Sequence, residues 1–288
     1  MAPKLALLAG GGTLPARLAA AARGSGRDVF IVAFNGQTDP ATVEGFPHIW
    51  TRMGAAGSAI ARLHQEKVEE LVFAGPVHRP SVSELMPDWR TLAFLARIGS
   101  RALGDDGLLR AVAQELEGEG FRIIGLHEIL GGLLTPPGPV GRLLPDDQAR
   151  RDIARAIEVA RGLGVLDVGQ GAVVQQGLVL GVEAIEGTDA LLERCGPLQR
   201  PGPGGVLVKV RKPQQDRRID LPTIGVHTVE LAAAAGLRGI AVEAGGSLVV
   251  DRAAVGETAD GLGLFVVAIT VDDERTRADD AATPEVRP

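Results

Sequence analysis

The sequence predicts a two-domain α/β chain: an N-terminal doubly wound, Rossmann-like parallel sheet, joined by a Pro/Gly linker to a second, mixed α/β domain. Three observations predict it. Short apolar runs alternate with segments of helical period through residue 134. Thr135–Gly141 (T-P-P-G-P-V-G) has a proline and glycine density that breaks helix and strand alike. The alternation then resumes from Asp146.

Lys4–Ala9 is a continuous apolar run that ends in Gly10, Gly11 and Gly12 and leads into an alanine-rich helix reaching about Arg23. Thr13 stands at the expected N-cap of that helix, and Pro15 falls in its first turn, where no helix hydrogen bond is lost. Val29–Ala33 reads as a second strand, Ala59–Glu66 as a helix and Glu70–Ala74 as a third strand running into Gly75-Pro-Val-His-Arg79-Pro80. Gly104, Asp105 and Asp106 open a helix carrying Leu108, Leu109, Val112 and Leu116, where the two carboxylates are best explained as dipole and capping groups. Arg122–Gly125 adds a strand, and the first domain closes at residue 134.

Residues 135–145 form the linker and 146–272 the second domain. Asp146 and Asp147 precede a long amphipathic helix to Leu163. The strands Ala172–Gln175 and Leu178–Glu183 flank a turn at Gly177, and Thr188 is expected to cap a short helix over Asp189–Arg194. Val206–Val210, Gly239–Val242, Leu248–Val250 and Leu264–Ile269 read as strands, with a helix over His227–Ala235. Residues 273–288 are charged, poor in large apolar side chains and expected to be frayed.

The composition excludes several classes. A net charge of −6 gives no broad attraction to nucleic acid, and the lack of Tyr, with only seven Phe and two Trp, removes the stacking platforms of a single-strand binder. A lone Cys195 forms no internal disulfide, and the amino terminus lacks signal-peptide features, so a cytoplasmic protein is expected, peripheral on the membrane if it meets one. No apolar run has the length of a membrane span.

The chemistry concentrates in Arg211–Gly225, R-K-P-Q-Q-D-R-R-I-D-L-P-T-I-G. Two of the chain's four lysines, Lys209 and Lys212, lie in or next to it. Asp216 and Asp220 offer hard oxygen ligands, while Lys209, Arg211, Lys212, Arg217 and Arg218 offer counter-charge for an anionic substrate. The alternative is a solvated turn with weak surface pairs. The triple glycine, with Gly11, Gly12 and Thr13, suits a phosphate at a helix N-terminus or simply a tight turn. It departs from a dinucleotide fingerprint, since Pro15 replaces the third glycine and Phe34 and Asn35 stand where a ribose-binding carboxylate is expected. Gly75 and Arg79 lie at the carboxyl end of a parallel strand, the rim where such sheets place ligands. Asp167–Gly171 (D-V-G-Q-G, with Gln170) and Glu183–Asp189 (E-A-I-E-G-T-D) are polar turns beside buried strands. Glu183, Glu186 and Asp189 are either metal ligands or loop carboxylates. The five histidines have no zinc spacing, so a metal here would be magnesium or manganese.

Taken in order, A-G-G-G-T-L-P, F-A-G-P-V-H-R-P, G-D-D-G-L-L-R, D-V-G-Q-G-A-V-V, V-E-A-I-E-G-T-D, K-P-x-Q-D and R-I-D-L-P-T-I-G resemble the UDP-2,3-diacylglucosamine pyrophosphatases of the type unrelated to calcineurin-like phosphoesterases. The resemblance covers the chain to Ile269. It implies magnesium-dependent hydrolysis of a lipid-bearing nucleotide sugar to UMP and 2,3-diacylglucosamine 1-phosphate (lipid X) in lipid A biosynthesis. It also implies a homodimer, two domains that enclose the lipid, and transient contact with the inner membrane surface.

On this reading Asp220, in D-L-P-T-I-G, is the important aspartate for catalysis and metal binding. Asp216 and Lys212 accompany it in catalysis, and Glu183 is a further metal ligand. Gly11, Gly12, Thr13, Gly75, Arg79, Gln170, Thr188 and Lys209 are expected to bind substrate. Trp89, Leu92, Phe94, Leu95, Leu133 and Leu134 are candidates for an acyl trough, or for ordinary helix packing. Pro76 and Gln176 depart from residues that relatives can carry and leave the ligand set open. A non-catalytic nucleotide-sugar binding module is the alternative from another class, and an NAD-dependent oxidoreductase is a third.

Overall fold

The computed structural model describes residues 2–78, 85–99 and 105–271. Arg79, Gly104 and the tail 273–288 lie outside them. Chain contacts divide the molecule into two compact units. One comprises Met1–Gly131 with Asp216–Asp220, and the other Gly132–Gln215 with Leu221–Pro288.

In the first unit β1 (Leu5–Ala9), β2 (Val29–Phe34), β3 (His48–Thr51), β4 (Glu70–Ala74) and β5 (Arg122–Ile123) form one parallel sheet in the order β3-β2-β1-β4-β5. This is the doubly wound arrangement, and alternation along β1 shows both faces to be covered. Leu5, Leu7 and Ala9 pack with Leu18, Ala19 and Ala22 of α1 (Leu14–Gly24). Ala6 and Leu8 pack with Ile60 and Leu63 of α2 (Ala56–Gln65) and with Ala113 and Leu116 of a later helix, Asp105–Gly118. Before that helix comes α3 (Trp89–Ile98); Asp105–Gly118 is therefore α4, and Leu126–Ile129 is α5. At the amino ends of the strands the buried Glu70 is bonded by Arg27 and by Arg122, whose Nε lies 2.9 Å away. Burial raises the Glu70 carboxyl, but these two guanidinium groups outweigh it and hold it below the usual range.

In the second unit β6 (Gly138–Pro139), β7 (Gly171–Gln175), β8 (Leu178–Val182), β9 (Val206–Lys209), β11 (Gly239–Glu243) and β13 (Phe265–Ile269) form a mixed sheet ordered β6-β13-β11-β9-β7-β8. Its central strands β13, β11 and β9 are parallel and the outer ones antiparallel. Helix α6 (Asp147–Val165) covers one face through Ala149, Ile153, Ala156, Ile157 and Ala160. The other face packs on α7 (Gly187–Cys195), α8 (Val226–Ala234) and α9 (Arg252–Leu262). A small parallel pair joins β10 (Thr223–Ile224) to β12 (Leu248–Val249).

Three sequence expectations change here. Residues 135–145 are not a bare linker: Gly138–Pro139 forms a sheet edge, and the Val140 amide donates to Val266 O at 2.8 Å. Thr13 occupies the N-cap of α1 but its side chain makes no capping bond. Thr188 does not cap α7, because Glu186 holds that position and the Thr188 hydroxyl is engaged elsewhere.

Candidate active site

Within the first unit the glycine bend is built against the loop after β4. The Gly10 and Gly11 amides donate to Ala74 O (2.7 Å) and Pro76 O (2.8 Å). A Cβ on Gly10 would lie 2.3 Å from Pro76 O, and one on Gly75 would lie 2.3 Å from Gly11 O. Close backbone approach therefore explains Gly10 and Gly75, and the Gly11 amide is already taken. Gly12 has φ +76°. Among the described residues no backbone hydrogen bond takes the amides of Gly12 or Thr13, which open α1 as a helix N-terminus.

The segment Asp216–Asp220 belongs to this same unit. Ile219 packs in the core with Ile60 and Leu116, and Arg218 Nη1 donates to Glu117 Oε1 at 2.7 Å. Arg218 also embraces Asp216: Nη2 donates to Oδ2 at 2.7 Å and the Arg218 amide donates to Oδ1 at 2.9 Å. Both Asp216 oxygens are thus engaged. The Arg218 bond holds the Asp216 carboxyl below its usual range against the opposing effect of burial, and Asp216 in turn raises the guanidinium. A lowered folded-state value stabilises the fold above the ordinary carboxyl pKa of about 3.9, and that contribution disappears as pH falls through the lowered value. Urea melts should therefore show a stability gap between wild type and Asp216→Asn that is constant above pH 5 and closes at strongly acidic pH. A gap independent of pH would remove the Arg218 bond as its cause.

In the second unit the remaining candidates gather at the carboxyl end of β9. Lys209 Nζ donates to Thr188 Oγ1 (2.5 Å), Thr188 donates to Glu183 Oε1 (2.5 Å), and Nζ lies 3.4 Å from the same Glu183 oxygen. Lys212 Nζ donates to Asp167 Oδ1 at 2.6 Å. The Lys212 amide donates to Gln215 Oε1 at 3.0 Å, and Gln215 Nε2 donates to Gln170 Oε1 at 3.2 Å. Lys209, Lys212, Glu183 and Gln215 are all buried. Next to them Arg161, Val165, Arg211, Pro213 and Glu243 line an open cavity, with the Arg211 amide donating to Glu243 Oε2 at 2.8 Å. Glu243 was not singled out from sequence, and Asp167 and Gln215 entered only as members of the D-V-G-Q-G turn and the K-P-x-Q-D motif. The signal for Glu243 was its place at the carboxyl end of β11, beside β9.

The acyl-trough candidates divide between the two units. Phe94 lines a small cavity with Ile60, Val112 and Leu116, Leu133 is buried and belongs to the other unit, and Trp89 and Leu92 are exposed.

A family model described as the LpxI N-terminal domain matches residues 4–133, and one described as the LpxI C-terminal domain matches residues 136–267. The chain belongs to the LpxI family. A relative from Caulobacter vibrioides (strain ATCC 19089 / CIP 103742 / CB 15), named UDP-2,3-diacylglucosamine pyrophosphatase LpxI, is 46% identical over 273 residues, covering 92% of this chain and 97% of the relative. A solved structure of glycinamide-RNase-transformylase T from Mycobacterium tuberculosis aligns with a TM-score of 0.23 and 16% identity over 63% of this chain and 43% of that one.

Against the magnesium expected of an LpxI-like chain, the donor set is small. Among the described residues no group of three or more His, Cys, Asp or Glu side chains converges as a metal cage. Magnesium commonly takes only one or two carboxylates and completes its shell with water and substrate phosphates. Asp220 fits that requirement: it is half-buried, and it stands between the buried Ile219 and Leu221. Glu183, the other expected ligand, does not fit, since the Lys209 ammonium is already at its carboxylate.

Proposed function

We propose that the chain hydrolyses the pyrophosphate bond of UDP-2,3-diacylglucosamine, releasing UMP and 2,3-diacylglucosamine 1-phosphate (lipid X), in lipid A biosynthesis and with magnesium. The observation that carries this reading is the 46% identity, across almost the full length of both chains, to a relative named for that activity. The chemistry of the site supports it. Phosphoanhydride hydrolysis needs counter-charge on the phosphoryl oxygens, cations on the leaving phosphate and an aligned water.

Asp220 would hold magnesium, which supplies charge neutralisation on the phosphates when bound. Lys209 and Lys212 hold phosphate oxygens, Thr188 and Gln170 orient the same region, and the Gly12 and Thr13 amides at the start of α1 receive a second anionic group of the nucleotide. The purified protein with magnesium is expected to release UMP from UDP-2,3-diacylglucosamine. Saturable binding with no UMP formed, with or without magnesium or manganese, would select a binding module instead.

The substrate is an amphiphile, and α3 offers it a route. Trp89, Leu92, Ala93 and Ala96 are all exposed and recur at helical spacing, Trp89 at 79% exposure. A Trp in an apolar stripe suits the headgroup boundary of a bilayer. In a Trp50→Phe variant, phosphatidylethanolamine/phosphatidylglycerol vesicles should shift Trp89 emission to the blue, and Trp89→Asp should lose vesicle co-sedimentation. An unmoved emission band would remove α3 from membrane contact. Among the described residues no helix is long and apolar enough to cross a membrane. A cytoplasmic homodimer visiting the inner membrane face completes this reading, and light scattering of the pure protein reads the dimer directly.

A further inference from the structure

Glu183 follows β8 and is built in from two sides. Its amide donates to Gly171 O at 2.9 Å. A Cβ on Gly169 would come within 1.9 Å of the Glu183 carbonyl oxygen, and one on Gly171 within 2.9 Å of Oε2. The D-V-G-Q-G turn thus leaves a notch that this glutamate fills at 6% exposure. Inside the notch Oε1 takes the Thr188 hydroxyl proton, and the Thr188 oxygen takes a proton from Lys209, both at 2.5 Å. Oε2 is buried with no hydrogen-bond partner among the described residues.

Burying a carboxylate with one oxygen unsatisfied is costly, so packing alone does not account for a charge here. Its neighbour does. A lysine has four rotatable bonds and three N–H donors, and it acts as a point charge only where something fixes it.

We propose that Glu183 is a positioning residue. Through Thr188 and across 3.4 Å it fixes the Lys209 ammonium, with one N–H on Thr188, one towards Glu183 and the third left for a phosphate oxygen. The inference rests on the reading that Lys209 meets the substrate diphosphate. It removes Glu183 from the metal and gives it to the lysine.

Glu183→Gln keeps the shape and the acceptor for Thr188 while removing the charge. Thr188→Val keeps the shape and removes the hydroxyl. Each is expected to lower kcat/KM for UDP-2,3-diacylglucosamine by about 10- to 100-fold, and Thr188→Ser to recover most of the Thr188→Val loss. Because both residues act through one ammonium, the Glu183→Gln/Thr188→Val double variant should fall no further than Lys209→Met. Titration with inorganic pyrophosphate gives a second reading that needs no turnover: its Kd should rise by a similar factor in Lys209→Met and Glu183→Gln. If the wild type released no UMP, the functional reading would fall, while the pyrophosphate titration would still judge Glu183. Two results overturn the inference. One is a folded Glu183→Gln with wild-type kcat/KM and wild-type pyrophosphate affinity. The other is a Glu183→Gln defect repaired by extra magnesium while the Lys209→Met defect is not, which would return Glu183 to the metal.

Discussion

Asp220→Ala is expected to fold and to bind UDP-2,3-diacylglucosamine, yet to turn it over roughly a thousandfold more slowly. The separation follows from how the segment is held. Ile219 is anchored in the core with Ile60 and Leu116, and Leu221 is buried on the other side, so the backbone at 220 is anchored by both of its neighbours. Removing that carboxylate leaves these two anchors in place and takes away the group proposed to hold magnesium. The groups proposed to recognise substrate, Lys209, Lys212 and the start of α1, are untouched, so KM should change far less than kcat. Single-turnover UMP release and equilibrium binding, measured on the same preparation, check both halves. A variant with an undiminished rate would take Asp220 out of the chemistry, and one that no longer binds would make it a recognition group.

Gly169→Ala should be the most damaging single methyl in the second unit. Its Cβ would sit 1.9 Å from the Glu183 carbonyl oxygen, which is backbone and has no rotamer to turn away. The turn before β7 and the end of β8 must then separate. Overpacking of this kind costs about 3 kcal/mol, at the upper end of its range, or roughly 10 °C in the thermal midpoint of a domain this size. The same displacement carries Glu183 away from Thr188 and Lys209, so activity should fall further than the lost stability predicts at 25 °C. Thermal melts and kcat/KM on the same protein separate the two effects. By contrast, Gly162→Ala, inside helix α6 where a Cβ meets nothing within 4 Å, should melt no lower than wild type and slightly above it. Equal melting of Gly169→Ala and wild type would contradict the close approach.

Much of the architecture could be read from the chain because its buried strands are short, uninterrupted apolar runs. Leu5–Ala9, Val29–Phe34, Glu70–Ala74, Gly239–Glu243 and Phe265–Ile269 all stand where such runs predict them. His48–Thr51 escaped notice because it is an edge strand whose His48 and Trp50 are exposed, which leaves no apolar signal. Helix Arg252–Leu262 escaped for another reason: its buried face is Val255, Gly256 and Ala259, too small to mark a period. At the site, residue types and order identified Lys209, Thr188 and Glu183 as candidates but not their mutual partnership. That required knowing that Gly169 and Gly171 lie behind Glu183, a contact between turns 14 residues apart or less that no local pattern encodes. The clasp of Arg218 on Asp216 was equally hidden, since nothing in D-R-R-I-D reveals that the guanidinium folds back onto the carboxylate.

The five residues Asp216–Asp220 give this chain a topology that its gene order conceals. Although they are encoded among residues of the second unit, their side chains complete the first: Ile219 fills its interior and Arg218 neutralises Glu117. A single cut after Gly131 would therefore yield an amino-terminal fragment with a hollow where Ile219 belonged and an orphaned Glu117. The first unit is thus discontinuous in the gene, and no single uninterrupted stretch could carry all of it into another protein without bringing most of the second along.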